Sequence, residues 1–310
     1  MNPKRTLEKL VRRLAALADR YRESERDTDI ALSAMLGRPD AMAGIRYPAA
    51  HVNFLRACIE ASVHGVREVK AEAGAPENAA NRFAILIDCL RTGLPAIDFS
   101  VARDVALVAD QNFAVSDSLE FGHWAGDIGL HFLMSSSLGN KGRIVFETIR
   151  IMRSERCLEL GTAYGMSALF ILEALKMYTR SGRLTTVEGS ERQYSLSSPM
   201  LERRYGAAVS CHLGWTSVAL PKLVKSLGPL DFMFHDAAHS REDYVRDFNQ
   251  VMDLFVPGAT VLFDDIRWQP SFPMPGGDPQ TYKGWTEVVA HPRVGRAVEI
   301  DGMLGLLLMR

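Results

Sequence analysis

From residue 139 onward the chain alternates short β-rich runs with helical stretches. The runs are Cys157 to Leu160, Leu184 to Glu188, Val209 to Leu213, Leu230 to Asp236 and Thr260 to Asp265. Each is followed by Gly, Ser, Thr or an acidic residue and then by a helical pattern. Alternation at this spacing predicts a parallel sheet with helices on both faces. Two final runs, Arg296 to Ile300 and Met303 to Met309, flank Asp301-Gly302, a pair suited to a tight hairpin turn. The sheet is therefore expected to end on an antiparallel pair.

The first 115 residues read differently. Leu7, Leu10, Val11, Leu14 and Leu17 form one apolar helical stripe, and Asn53 to Lys70 and Ala79 to Leu90 look alike. The block reads as strand-free and without a chemical motif. The expected organisation is a helical cap or dimerisation region over residues 1–115 and a catalytic domain over residues 116–310, with a homodimer formed through the helices.

Bulk properties narrow the partners. The 310 residues carry 36 basic and 37 acidic side chains, for a net charge of −1. That balance gives no electrostatic footprint for nucleic acid or a membrane surface. The apolar runs are strand-length, too short to span a bilayer. Cys58, Cys89, Cys157 and Cys211 are scattered, without a CxxC pair, as expected of buried thiols in a reducing cytoplasm.

Open α/β sheets bind ligands at the carboxyl ends of their strands. The first such end reads Glu159-Leu160-Gly161-Thr162-Ala163-Tyr164-Gly165-Met166-Ser167. Its glycines let the backbone turn and let a ligand come close. A carboxylate before the first glycine would repel a phosphate and suits a cation or ammonium. The second end, Glu188-Gly189-Ser190, offers a carboxylate able to accept both hydroxyls of a ribose, while Ser190 suits a helix cap. The third, Gly214-Trp215-Thr216, suits the wall and edge of an adenine site, or a core anchor. The fourth and fifth bring Asp236, Asp264 and Asp265 together. Uncompensated, these carboxylates repel and raise one another's pKa values, and Mg²⁺ with oxygen ligands would relieve that. The plainer alternative has Ser240 or Asp236 capping the next helix.

Taken in order, these motifs resemble a class I S-adenosylmethionine-dependent methyltransferase. They resemble in particular the metal-dependent O-methyltransferases of the catechol and caffeoyl-CoA type and related bacterial small-molecule methyltransferases. The resemblance runs from Leu138 to the C-terminus and starts with Leu138-Gly139-Asn140-Lys141-Gly142. It implies a Rossmann-like, mostly parallel seven-stranded α/β sheet in the order 3-2-1-4-5-7-6, the last strand antiparallel. It implies S-adenosyl-L-methionine contacts at Asn140, Glu159, Gly161, Tyr164, Gly165, Ser167, Glu188, Gly189, Gly214, Trp215 and Asp236. It implies metal ligands at Asp236, Asp264 and Asp265. The general-base position of many bacterial relatives is Ala238 here, and the position of the catechol-type lysine is His239.

The implied reaction is methyl transfer to a hydroxyl of a small, secondary-metabolite-like molecule, with His239 as base near its ordinary pKa. Loss of the usual base keeps a second reaction open. There the cofactor's own amine would close a ring to azetidine-2-carboxylate and release methylthioadenosine. A non-catalytic cofactor-binding or interaction protein is the third reading. The Pro- and Gly-rich loop from Arg267 to Lys283, with Trp268, Phe272 and Tyr282, suits a lid over an apolar acceptor.

Overall fold

In the computed structural model, residues 63, 65–94, 140–163, 165–267 and 281–310 are described. The apolar stripe at Leu7 to Leu17, Leu138, Gly139, Tyr164, Trp268 and Phe272 lie outside the described residues, as does most of the region 1–115 expected to form a dimer.

The parallel core is built as the alternation predicts. Strands β2 (Arg156–Leu160), β3 (Arg183–Glu188), β4 (Val209–Leu213), β5 (Leu230–His235) and β6 (Phe255–Phe263) pair in parallel in the order β4-β3-β2-β5-β6. Successive side chains along a strand face opposite ways. Cys157 therefore joins one core while Leu158 and Leu160 join the other, and Phe232 and Phe234 oppose Met233.

Helices cover both faces. On one lie α1 (Glu77–Thr92), α2 (Asn140–Met152), α3 (Met166–Tyr178) and α4 (Glu191–Tyr205). On the other lie α5 (Thr216–Leu223), α6 (Arg241–Val251) and α7 (Thr281–Ala290). Every residue of α3 from Met166 to Leu175 is buried, as befits a helix enclosed between the sheet and its neighbours.

Beyond β6 come β7 (Val294–Ile300) and β8 (Leu304–Met309). β8 inserts antiparallel between β6 and β7. The hairpin turns at Asp301 (φ 53°) and Gly302 (φ 69°), and Met303 N–H donates to the Ile300 carbonyl at 3.1 Å. Two central residues at positive φ make the turn type whose twist suits a hairpin.

The expected order 3-2-1-4-5-7-6 is present, with one correction. The sheet has eight strands, because β1 (Val66–Ala71) pairs antiparallel with the outer edge of β7. Residues 66–71 were expected to be the end of a helix in a strand-free block. Val66 and Val69 sit three apart among charges, which mimics a helical stripe; the charges instead suit an exposed sheet edge. A second correction concerns the loop after β6: Thr281, Tyr282 and Lys283 belong to α7. No helix among the described residues is long and apolar enough to cross a membrane.

Candidate active site

Strand order reverses between β2 and β5, and a cleft of about 240 Å³ opens beside that switch point. Its lining comes from the ends of four strands: Gly161 and Ala163 after β2, Glu188 and Gly189 from β3, Trp215 and Thr216 after β4, and Asp236 to Ala238 after β5.

The first turn is set by backbone contact. Gly161 has φ +94°, and a Cβ there would lie 2.0 Å from the Asp236 carbonyl oxygen. Only glycine allows the β2 and β5 ends to come this close. Gly165 starts α3 at φ +87°.

Glu159, expected to face a cation directly, is fully buried and does not line the cleft. Its Oε2 accepts from Thr186 Oγ1 at 2.5 Å, and Ser167 also bonds it. Thr186 in turn meets Thr162 Oγ1 at 2.5 Å. The other oxygen, Oε1, is buried without a partner. Burial pushes the carboxyl up to about 7, against the hydrogen bonds of Ser167 and Thr186. Glu159 thus ties β2, β3 and the start of α3 together behind the cleft.

Glu188 is held by two backbone donors. Ala163 N–H reaches Oε2 at 2.6 Å and Ser190 N–H reaches Oε1 at 2.7 Å. A carboxylate has about four acceptor sites, so both oxygens keep one for a ligand. Ser190 also caps α4, accepting from Gln193 N–H at 3.3 Å. Gly214, at φ +148°, donates its N–H to the Glu188 carbonyl at 2.8 Å and leads into Trp215. The Trp215 ring is 68% exposed yet lies against Gly189, where a Cβ would come within 2.9 Å of it. A bare indole laid along a glycine at a cleft edge is a flat apolar wall.

Beside the cleft, the ends of β5 and β6 carry the acidic cluster. Asp236 donates its backbone N–H to the Leu160 carbonyl at 2.8 Å. Asp264 is anchored by its N–H to the His235 carbonyl at 2.9 Å and by Tyr244 Oη, which donates to its carbonyl. Asp265 sits at φ +54°, an uncommon conformation for a residue with a side chain.

Lys141, in the first turn of α2, enters this cluster. Its Nζ lies 3.1 Å from Asp236 Oδ2 and bonds Asp264 Oδ2 as well. Burial alone would lower the Lys141 pKa; the charges and hydrogen bonds of Asp236 and Asp264 outweigh it and hold it above an ordinary lysine. Asp236 is pushed well up by burial and by the Asp264 charge, against Lys141, and Asp265 is pushed up to about 6 by burial and the same charge. The expected ligand set of Asp236, Asp264 and Asp265 does not fit a divalent ion as arranged, because an ammonium already bridges two of its members. Among the described residues, the trio whose possible ligating atoms gather within 4.8 Å of one another is Asp236, His239 and Asp265.

His239 Nε2 lies 4.0 Å from Asp236 Oδ1 and 3.7 Å from Asp265 Oδ2. Burial lowers its pKa to about 4, with the Asp264 charge opposing and His235 and Lys141 assisting. The ring is therefore neutral at neutral pH rather than poised to titrate there. Ser240, one residue on, caps α6 and accepts from Asp243 N–H at 3.1 Å. Asn140, also expected at the cofactor, is the first residue of α2.

Reading the sequence missed two features. Lys141 was passed over in favour of its neighbour Asn140, although three clustered carboxylates call for a cation. The second is a buried pair beneath the cleft: His235 Nε2 lies 3.2 Å from Asp247 Oδ2, and Arg246 links Asp247 to Thr216 Oγ1 of the cleft wall. Asp247 lies a helical turn beyond Asp243 on a charged helix, and no local pattern marks it as buried.

Residues 158–266 match the model of a methyltransferase domain. A catechol O-methyltransferase of Niastella koreensis is 27% identical over 129 residues, 41% of this chain and 56% of that protein. Caffeoyl-CoA O-methyltransferase 1 of Arabidopsis thaliana is 24% identical over 152 residues, 47% of this chain and 56% of that protein. The chain thus spans a little over half the length of these relatives. The crystal structure of an SAH-bound methyltransferase of Podospora anserina covers 78% of this chain and 100% of its own, at 16% identity and a TM-score of 0.52, which is a likeness of fold. In sequence and fold the chain resembles the class I S-adenosylmethionine-dependent O-methyltransferases.

Proposed function

We propose that the chain binds S-adenosyl-L-methionine in the cleft and transfers its methyl group to a hydroxyl oxygen of a small molecule. The observation that carries the reading is the pairing, at one switch-point cleft, of a backbone-clamped Glu188 with the Trp215–Gly189 wall. A clamped carboxylate with free acceptor sites suits the two hydroxyls of a ribose, and the flat wall suits an adenine beside it. Gly161 and Gly189 line that space without side chains. Glu159 and Ser167 fix the glycine turn from behind.

When bound, S-adenosylmethionine supplies an electrophilic methyl on a positively charged sulfur. The chain's part is chiefly to align an acceptor oxygen with it and exclude water. His239 would take the hydroxyl proton at Nε2, the ring nitrogen facing Asp236 and Asp265. Its lowered pKa keeps the ring neutral and able to accept, at some loss of basicity. Ala238, beside it on the cleft wall, offers no competing base.

The test is to identify the nucleoside formed when the full chain is incubated with S-adenosylmethionine, with and without hydroxylated aromatic acceptors. Acceptor-dependent S-adenosylhomocysteine supports methyl transfer. Methylthioadenosine formed without an acceptor identifies ring closure, and binding with no product identifies a non-catalytic role. In the first case His239→Ala should lower turnover by roughly a hundred- to ten-thousand-fold while leaving cofactor affinity unchanged.

A further inference from the structure

Three carboxylates leave β5 and β6 at one end of the sheet, and the Lys141 ammonium enters among them. Lys141 Nζ sits between Oδ2 of Asp236 and Oδ2 of Asp264. A Mg²⁺ ion bound by this pair would need their oxygens at about 2.0–2.1 Å, the side the ammonium now occupies.

The lysine is placed by packing. Gly142, the next residue, lies so close to Phe170 of α3 that a Cβ would come within 2.3 Å of the ring. Arg143, after it, is fully buried and donates to the Leu94 carbonyl at 2.6 Å. These two contacts fix the start of α2 and with it the direction of Lys141, which is 22% exposed. A cation in the first turn also opposes the helix dipole, and that turn holds no acidic residue. The carboxylates across the gap are what favour a lysine there.

Asp236 Oδ1, His239 Nε2 and Asp265 Oδ2 still approach one another. That set shares Asp236 with the lysine, so an ion entering it would meet a like charge within a few ångströms. We infer that the Lys141 ammonium takes the place of a divalent cation in this site, and that the chain holds its strand-end carboxylates without a metal. The inference concerns the site proposed for methyl transfer, but metal binding is read here without turnover, so either reading can fail alone.

The experiment is a titration of the full chain with Mn²⁺, following the free aquo ion by electron paramagnetic resonance. The wild-type chain should leave Mn²⁺ free at concentrations where Lys141→Met and Lys141→Gln bind an equivalent. The neutral variants should gain at least about a hundredfold in affinity, as removal of a unit charge a few ångströms away implies at intermediate effective dielectric. Lys141→Arg, which keeps the charge, should behave as wild type. Two results overturn the inference. One is an equivalent of Mn²⁺ bound by wild type and lost in Asp264→Asn. The other is a folded Lys141→Met or Lys141→Gln, checked by circular dichroism, that binds no more Mn²⁺ than wild type. The wild-type titration stands even if the variants do not fold.

Discussion

Glu188 and Glu191 sit three residues apart, yet they differ in a way that tests the cofactor site. Glu188 is 6% exposed, locked by two backbone N–H groups and part of the cleft wall. Glu191 lies in the first turn of α4 and is exposed. Glu188→Ala removes an acceptor from the ligand and strands the Ala163 and Ser190 donors. S-adenosylhomocysteine affinity should fall by at least about tenfold, the scale of a lost charge-assisted hydrogen bond. Glu191→Ala should leave it unchanged, and isothermal titration of both variants decides the matter. Equal losses would remove Glu188 as the ribose ligand. Its position was legible in the sequence because a strand end followed by Gly and Ser is a local signal. Lys141 was not, because its meaning depends on Asp236 and Asp264, 95 and 123 residues away. Nor was the state of His239, which burial sets and neighbouring letters do not reveal.

At the scale of elements, one carboxylate joins the sheet edge to both ends of the segment between β6 and α7. Glu299 of β7 accepts from Arg67 of β1 at 2.6 Å, Arg267 at 3.0 Å, Tyr282 Oη at 2.8 Å and Trp285 Nε1 at 3.2 Å. Arg267 also lies 3.7 Å over the Tyr282 ring. Burial raises the Glu299 pKa, but the hydrogen bonds from Tyr282, Arg267, Arg67 and Trp285 outweigh it and hold it below its ordinary value. Glu299→Ala should cost about 1–3 kcal/mol, because it strands the buried Trp285 indole N–H; the exposed guanidinium groups of Arg67 and Arg267 lose little. The melting temperature should drop by several degrees, measured by calorimetry. A drop within error would mean that water replaces the carboxylate at no cost. Nothing in the sequence announces this cluster, in which Glu299 meets partners 14 to 232 residues away. The parallel strands were readable because each is a buried apolar run with its own turn chemistry. β1 was not, because a charged edge strand buries too little to impose a period of two.

Over the whole molecule, buried titrating groups pull stability in opposite directions with pH. Glu159 has a folded pKa of about 7 against an ordinary 4.5. Between those values the native state binds more protons than the unfolded chain, so stability falls as pH rises through that window and is level above it. Asp265, raised to about 6, acts in the same sense. His239, lowered to about 4, acts oppositely: the unfolded chain binds the extra proton below pH 6.5, so stability rises with pH over that range. Asp236, also raised, adds to the first sense, so the carboxyl groups outweigh the one histidine and the raw stability curve should fall as pH rises from about 4 to 7. Glu159→Gln isolates one part, since an amide of the same shape can still accept from Thr186 and does not ionise. The gap in unfolding free energy between variant and wild type should shift in the variant's favour by roughly 3 kcal/mol between pH 4.5 and pH 8. Urea melts at both pH values, analysed as the difference between the two proteins, measure it. A gap that does not change with pH would mean that Glu159 ionises as easily inside the protein as outside. Its unpartnered Oε1 would then have to be solvated by a route that the packing of β2, β3 and α3 does not offer.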